Sequence, residues 1–215
     1  KSSAASDVYK RQVYDMKKIL FAASEAVPFM KTGGLADVTG SLPKYFDKKN
    51  YDVRVILPKY VCMEERWKGQ LHFLCHFYVN LSWRKQYVGI FETTYDGITY
   101  YLVDNEFYFA GNAPYNNIYE DVEKFAFFSK AVLEALPYLD FCPDIIHCHD
   151  WQTGLLPVFL RTLYGDEEYY TGIKTVFSIH NLKFQGRWKL PAVMDITGLP
   201  EQIFTSDKLL SLIHI

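Results

Sequence analysis

Residues 17–24 (KKILFAAS) form an apolar run with no polar alternation, and that feature narrows the possible folds more than any other. A strand that is apolar on both sides has to be covered on both sides, which places it inside a parallel sheet flanked by helices. The residues that follow agree. After a loop holding Pro28, Gly33 and Gly34, the apolar residues Leu35, Val38, Leu42, Tyr45 and Phe46 recur at helical spacing over residues 35–48, and residues 52–57 (DVRVIL) return as a second strand. Strand, helix and strand in that order make a βαβ unit.

From residue 72 to 103 the pattern changes to three runs rich in Val, Ile, Tyr, Phe and Thr, with Asp96-Gly97 as a hairpin turn between two of them. These runs predict an antiparallel excursion. The α/β rhythm then resumes: a helix over residues 121–138, a strand over 144–148, a helix over 154–164 and a strand over 174–179. One α/β domain accounts for all of it, a mainly parallel, Rossmann-like sheet with helices on both faces and an antiparallel hairpin excursion. The 49% hydrophobic and 17% aromatic content is enough to fill such a core. The charge is nearly balanced, 23 Lys and Arg against 25 Asp and Glu, which argues against a nucleic-acid or anionic-lipid surface. No apolar run approaches the roughly 18 residues of a membrane span. Four cysteines without a CxxC pair fit reduced thiols in the cytoplasm. Residues 1–15 show neither helical nor strand periodicity and are expected to be a leader or an artefact, with Met16 as a natural start. The domain is expected over residues 16–208, incomplete, ending in a truncated apolar tail over 209–215 (LLSLIHI).

Open parallel sheets bind ligands beyond the carboxyl ends of their strands. Three polar clusters are predicted to share that rim: Ser24-Glu25 with the glycine loop, His149-Asp150-Trp151, and His180-Asn181. In the loop KTGGLADV, Gly33 and Gly34 directly precede a helix, so backbone N–H groups, the helix dipole and Lys31 together suit a phosphate; a tight strand-to-helix turn is the alternative. The run His147-Cys148-His149-Asp150 invites a metal reading. Strand alternation rejects it by sending Cys148 to the face opposite both histidines, which makes His147 a packed core histidine. Asp150 and Trp151 suit a sugar, a carboxylate for hydroxyls and an indole for the apolar face, although Asp150 could equally cap the next helix. His180 either serves the crevice or packs beside it. The tyrosines Tyr108, Tyr115 and Tyr119 read as core packing in preference to a carbohydrate surface.

Three segments, MKKILFAASEAVPFMKTGGLADVTGSLPKYF from Met16, HCHDWQTGL from His147 and SIHNLKFQG from Ser178, closely resemble the N-terminal half of bacterial glycogen synthases, a family shared with plant starch synthases. The resemblance covers residues 16–204 and then stops. It implies the N-terminal, acceptor-side half of a two-domain GT-B fold. It further implies a retaining glucosyltransferase that moves glucose from ADP-glucose to the non-reducing end of an α-1,4-glucan such as glycogen or a maltooligosaccharide, with no metal or other cofactor. By similarity, Lys31, Gly33 and Gly34 would meet the donor's diphosphate and glucose. His180 would stand beside the transferred glucose, with Asp150 supporting the sugar site and Asn181 lining it. Tyr108 and Asp121 fall in segments resembling the acceptor side, and Lys124 stands where the family carries arginine, a change that keeps the charge and loses the planar fork. The family's C-terminal nucleotide-binding domain is missing from this sequence, so the chain alone is expected to be inactive. A non-catalytic glucan-binding module, or a GT-B transferase using another nucleotide sugar, is the rival reading.

Overall fold

The computed structural model describes residues 16–204, with the side chains of residues 118 and 119 excepted, so the leader and tail expected at the two ends, and the Tyr119 side chain, lie outside the described residues. Seven strands form one sheet in the order β3-β4-β5-β2-β1-β6-β7. They are β1 (Lys17–Ala22), β2 (Tyr51–Pro58), β3 (His72–Leu81), β4 (Arg84–Tyr95), β5 (Ile98–Asp104), β6 (Ile145–His149) and β7 (Lys174–Ser178). The helices are α1 (Gly34–Ser41), α2 (Glu65–Lys68), α3 (Glu106–Phe109), α4 (Ile118–Ala135), α5 (Leu155–Thr162) and α6 (Leu190–Thr197).

The apolar run at the start of the fold is the sheet's central strand, paired in parallel with β2 on one side and β6 on the other. Its side chains divide as a strand's must. Leu20 and Ala22 enter the larger core, which also holds Phe125, Phe128, Leu156 and Phe159 of α4 and α5. Ile19 and Phe21 enter a second core with Phe29, Val55, Leu57 and Tyr100. Residues of β6 alternate the same way: Ile146 and Cys148 join the larger core, whereas the rings of His147 and His149 lie 4.7 and 5.1 Å from the Phe21 ring on the other face.

Several boundaries differ from expectation for physical reasons. The first helix ends at Ser41 and continues only as a 3₁₀ turn over Leu42–Tyr45, because Pro43 has no N–H to give an α-helical bond. β5 pairs antiparallel with β4 and also parallel with β2, so the third of the three β-rich runs belongs to the parallel sheet and only β3 and β4 extend it antiparallel. Asp96 and Gly97 turn the β4–β5 hairpin with φ of 52° and 72°, the positive values a tight primed turn requires. Helix α6 was not anticipated, though its signals are present: Pro191 in its first turn and Gly198 closing it at φ 67°. β7 occupies a sheet edge with Val176 and Phe177 exposed, so its apolar pattern is not matched by cover on both faces among the described residues.

Candidate functional site

The chain leaves β1 to build the sheet in one direction, through β2 and β5, and comes back for β6 on the opposite side. Such a reversal leaves a crevice at the carboxyl ends of the two strands that part there. The crevice is an open cleft of about 1110 Å³, and Glu25, Gly33, Gly34, Asp150, Trp151, His180, Asn181 and Asp121 all line it. Segments far apart in sequence meet at one rim, as the strand ends predict.

The glycine loop is shaped by Glu25, which is only 2% exposed. Its carboxylate accepts the Thr32 N–H, the Thr32 hydroxyl at 2.8 Å and the Gly33 N–H at 3.3 Å, and the Tyr115 hydroxyl donates to it. Sequence reasoning offered these amides to an anion; the protein's own carboxylate already holds two of them. What remains is the first turn of α1, whose N–H groups have no intrahelical partner and begin at a cleft-lining glycine. Neither Gly33 nor Gly34 has a positive φ, and a Cβ on either would meet nothing within 4 Å. A tight turn therefore does not explain the pair. Their missing side chains leave that part of the cleft lining open.

Lys31 is not in the cleft lining: its Nζ pairs with Asp37 at 2.7 Å on the exposed rim. An exposed pair of this kind is worth only about 0–1 kcal/mol, so an anion in the cleft can compete for the ammonium at small cost. Lys183 and Arg187, which the sequence reading passed over, line the cleft and carry the same charge.

Asp150 sits at φ 57°, ψ 179°, a region nearly reserved for glycine, and makes no side-chain cap to the 3₁₀ turn over Trp151–Thr153. The capping alternative is thereby set aside. Its Oδ1 accepts the His180 backbone N–H at 2.6 Å, and its own N–H donates to the Ser178 carbonyl at 2.9 Å, so the strained residue stitches the ends of β6 and β7 together. Asn181 lines the cleft while its Oδ1 accepts the Lys183 N–H at 3.0 Å. Trp151 packs edge-on against Phe125 at 5.2 Å and tilted against Trp188 at 4.9 Å, so much of its indole is committed to protein.

His180 and His149 share a hydrogen bond, Nε2 to Nδ1, at 2.9 Å. Burial, with the neighbouring His147 and His180 rings, pushes His149 down to a pKa of about 2, so it is neutral at ordinary pH. His147 bonds Ser178 Oγ at 2.7 Å, and burial lowers its pKa too; it is partly exposed and hydrogen-bonded, not a ligand aimed into the cleft. Cys148 lies on the opposite face, and no group of three or more His, Cys, Asp or Glu arranged to hold a metal occurs among the described residues.

On the segment expected to lie toward an acceptor, Asp121 is buried, pairs with Lys124 at 2.9 Å and accepts the Asn116 N–H at 3.2 Å, while Lys124 also donates to the Pro114 carbonyl. The lysine thus performs a compact point-charge task that needs no planar fork. The structure does not bring Tyr108 to the cleft. Its ring stacks on Phe127 at 4.6 Å and its hydroxyl donates to Glu123, burial and that carboxylate raising its pKa. Tyr115, read as packing, is the tyrosine that lines the cleft, and burial beside Glu25 raises its pKa well above the usual phenol value. Position in the fold, not residue type, separates the two.

The sequence model of the starch synthase catalytic domain matches residues 18–212, running past Phe204, where the resemblance read from the sequence stops. A glycogen synthase of Lachnoclostridium phytofermentans is 65% identical over 194 residues, covering 90% of this chain and 41% of that relative. One from Geobacillus stearothermophilus is 47% identical over 192 residues, covering 89% and 39%. The catalytic domain of starch synthase IV from Arabidopsis thaliana, bound to ADP and acarbose, superposes with a TM-score of 0.79 at 28% identity, over 90% of this chain and 39% of that one. The chain therefore spans about two fifths of the length of the relatives it matches. A family-model match along nearly its whole length, with relatives up to 65% identical, shows that this chain belongs to the starch synthase catalytic domain family.

Proposed function

We propose that the complete protein carrying this chain is a retaining glucosyltransferase of glycogen synthesis, which moves glucose from ADP-glucose to the non-reducing end of an α-1,4-glucan in the cytoplasm. The observation that carries this reading is the convergence of a bare helix N-terminus, an imidazole and backbone-anchored acids on one cleft at the sheet's reversal point. The N–H groups of α1 with Lys31, Lys183 and Arg187 suit the charge of a departing diphosphate, fixed in place before reaction and without a metal or other cofactor. His180, Asp150 and Asn181 suit the hydroxyls of the transferred glucose. The ADP and acarbose bound by the Arabidopsis relative support a nucleotide and a saccharide as ligands of the complete protein.

Each carboxylate lining the cleft is already engaged: Glu25 by the glycine loop, Asp121 by Lys124, Asp150 by the His180 N–H. That supports same-face attack by the acceptor over a double displacement through an enzyme carboxylate. The remaining three fifths of the relatives' length is read as a second lobe that binds the nucleotide, and closure of the two lobes as the step that assembles the reactive geometry. The test is incorporation of labelled glucose into glycogen from ADP-glucose and UDP-glucose. The complete protein is expected to transfer from ADP-glucose preferentially, and the purified 215-residue chain to transfer from neither. Preference for UDP-glucose would overturn the donor assignment, glycogen binding without transfer by the complete protein would favour a binding module, and transfer by the chain alone would overturn the two-lobe reading.

A further inference from the structure

Beneath the cleft-lining His180 lies a second histidine, His149, that does not itself line the cleft. His149 is fully buried, its ring packed 5.1 Å from the Phe21 ring and 4.1 Å from that of His147. Its Nδ1 faces His180 Nε2 at 2.9 Å, while its own Nε2 is buried with no hydrogen-bond partner among the described residues. A neutral imidazole has one proton to place. On Nε2 it would create a buried N–H with nothing to accept it, one of the rarest groups in folded proteins; on Nδ1 it is used in the bond to His180. Nδ1 therefore donates, and the nitrogen it donates to must be unprotonated.

From this geometry we infer that His149 is a positioning residue, which fixes His180 in the tautomer carrying its proton on Nδ1 and so presents a hydrogen-bond donor, not an acceptor, to the cleft. The Asp150 carboxylate holds the same histidine by its backbone N–H, so ring and main chain are each anchored from beneath. No protein group among the described residues bonds His180 Nδ1, which leaves that N–H for a ligand oxygen. A ring held through one nitrogen by a buried donor has its other nitrogen's role decided in advance. The consequence for transfer rests on the glucosyltransferase reading above; the tautomer itself does not.

The test uses the complete protein labelled with [¹⁵N]histidine. Long-range ¹H–¹⁵N correlation is expected to show His180 protonated on Nδ1 and bare on Nε2, and His149 likewise. His149→Phe keeps an aromatic ring against Phe21 and removes the donor. It is expected to release His180 into a tautomer mixture and lower kcat about tenfold with little change in KM for the donor, the loss of roughly one hydrogen bond felt in the transition state. His149→Asn, whose amide N–H can stand in for Nδ1–H, is expected to restore both. His180 found protonated on Nε2 in the wild type overturns the inference without any variant. So does a His149→Phe protein with unchanged tautomer and kcat, or a His149→Asn protein no better than His149→Phe. A wild type with the expected tautomer and no transfer from any nucleotide sugar would overturn the glucosyltransferase reading alone.

Discussion

Asp150 carries two properties that can be separated by mutation: a carboxylate that holds the His180 N–H and a backbone conformation that an L-residue adopts at a cost of about 1–3 kcal/mol. Asp150→Ala loses the first and keeps the second, whereas Asp150→Gly loses the first and relieves the second. Urea unfolding is therefore expected to find Asp150→Gly more stable than Asp150→Ala by about 1 kcal/mol, with the complete protein carrying either change at least tenfold slower in the transfer proposed for it. Equal stability would show that the main chain relaxes there at no cost. Little of this was legible in the sequence. The motif marks Asp150 as polar and placed at a strand exit, but its φ depends on β6 and β7 ending side by side, a contact between residues 150 and 178–180 that no local pattern encodes. Glu25 is legible at the rim but not as the anchor of the glycine loop, and Tyr115 reads as packing, for the same reason: a buried carboxylate and a phenol become a site only when strand β1 and the loop before α4 are brought together.

At the scale of elements, apolar periodicity placed every strand and helices α1, α4 and α5, because burial on one or two faces is what periodicity records. It was silent on the 181–188 segment, which has no regular structure and is mostly exposed, but packs closely at one point. Gly186 there has φ +59°, and a Cβ on it would lie 2.8 Å from Trp151 Cβ and 2.8 Å from the Trp188 ring. Gly186→Ala thus meets both a disfavoured backbone and a wall of indole. It is expected to destabilise the protein by about 2 kcal/mol or more and to displace Trp151 and Trp188, seen as a lower urea midpoint and a shift in tryptophan emission. A midpoint within about 0.5 kcal/mol of wild type would mean that the segment gives way freely.

Across the whole molecule, the burial of neutral histidine couples folding to pH. The unfolded chain protonates His149 below its ordinary value of 6.5, while the folded chain resists to about 2, so the unfolded state binds more protons throughout that interval. Stability is then complete above about pH 6.5 and declines as pH falls toward 2, by up to about 1.4 kcal/mol per unit, with the lowered His147 acting in the same direction. Urea titrations between pH 7 and pH 5 are expected to show this decline in the wild type and a shallower one in His149→Phe; parallel curves would exclude His149 as its source. The strand order has a consequence of another kind, for the chain as it leaves the ribosome. Because β6 is encoded more than a hundred residues after β1, the half-sheet from β1 to β5 can assemble while the far edge of its innermost strand is still waiting for a neighbour. At about 5–20 residues per second that wait lasts on the order of ten seconds, during which an apolar strand offers open backbone to any other nascent chain. What ends as the sheet's innermost strand is thus, for part of synthesis, an exposed edge.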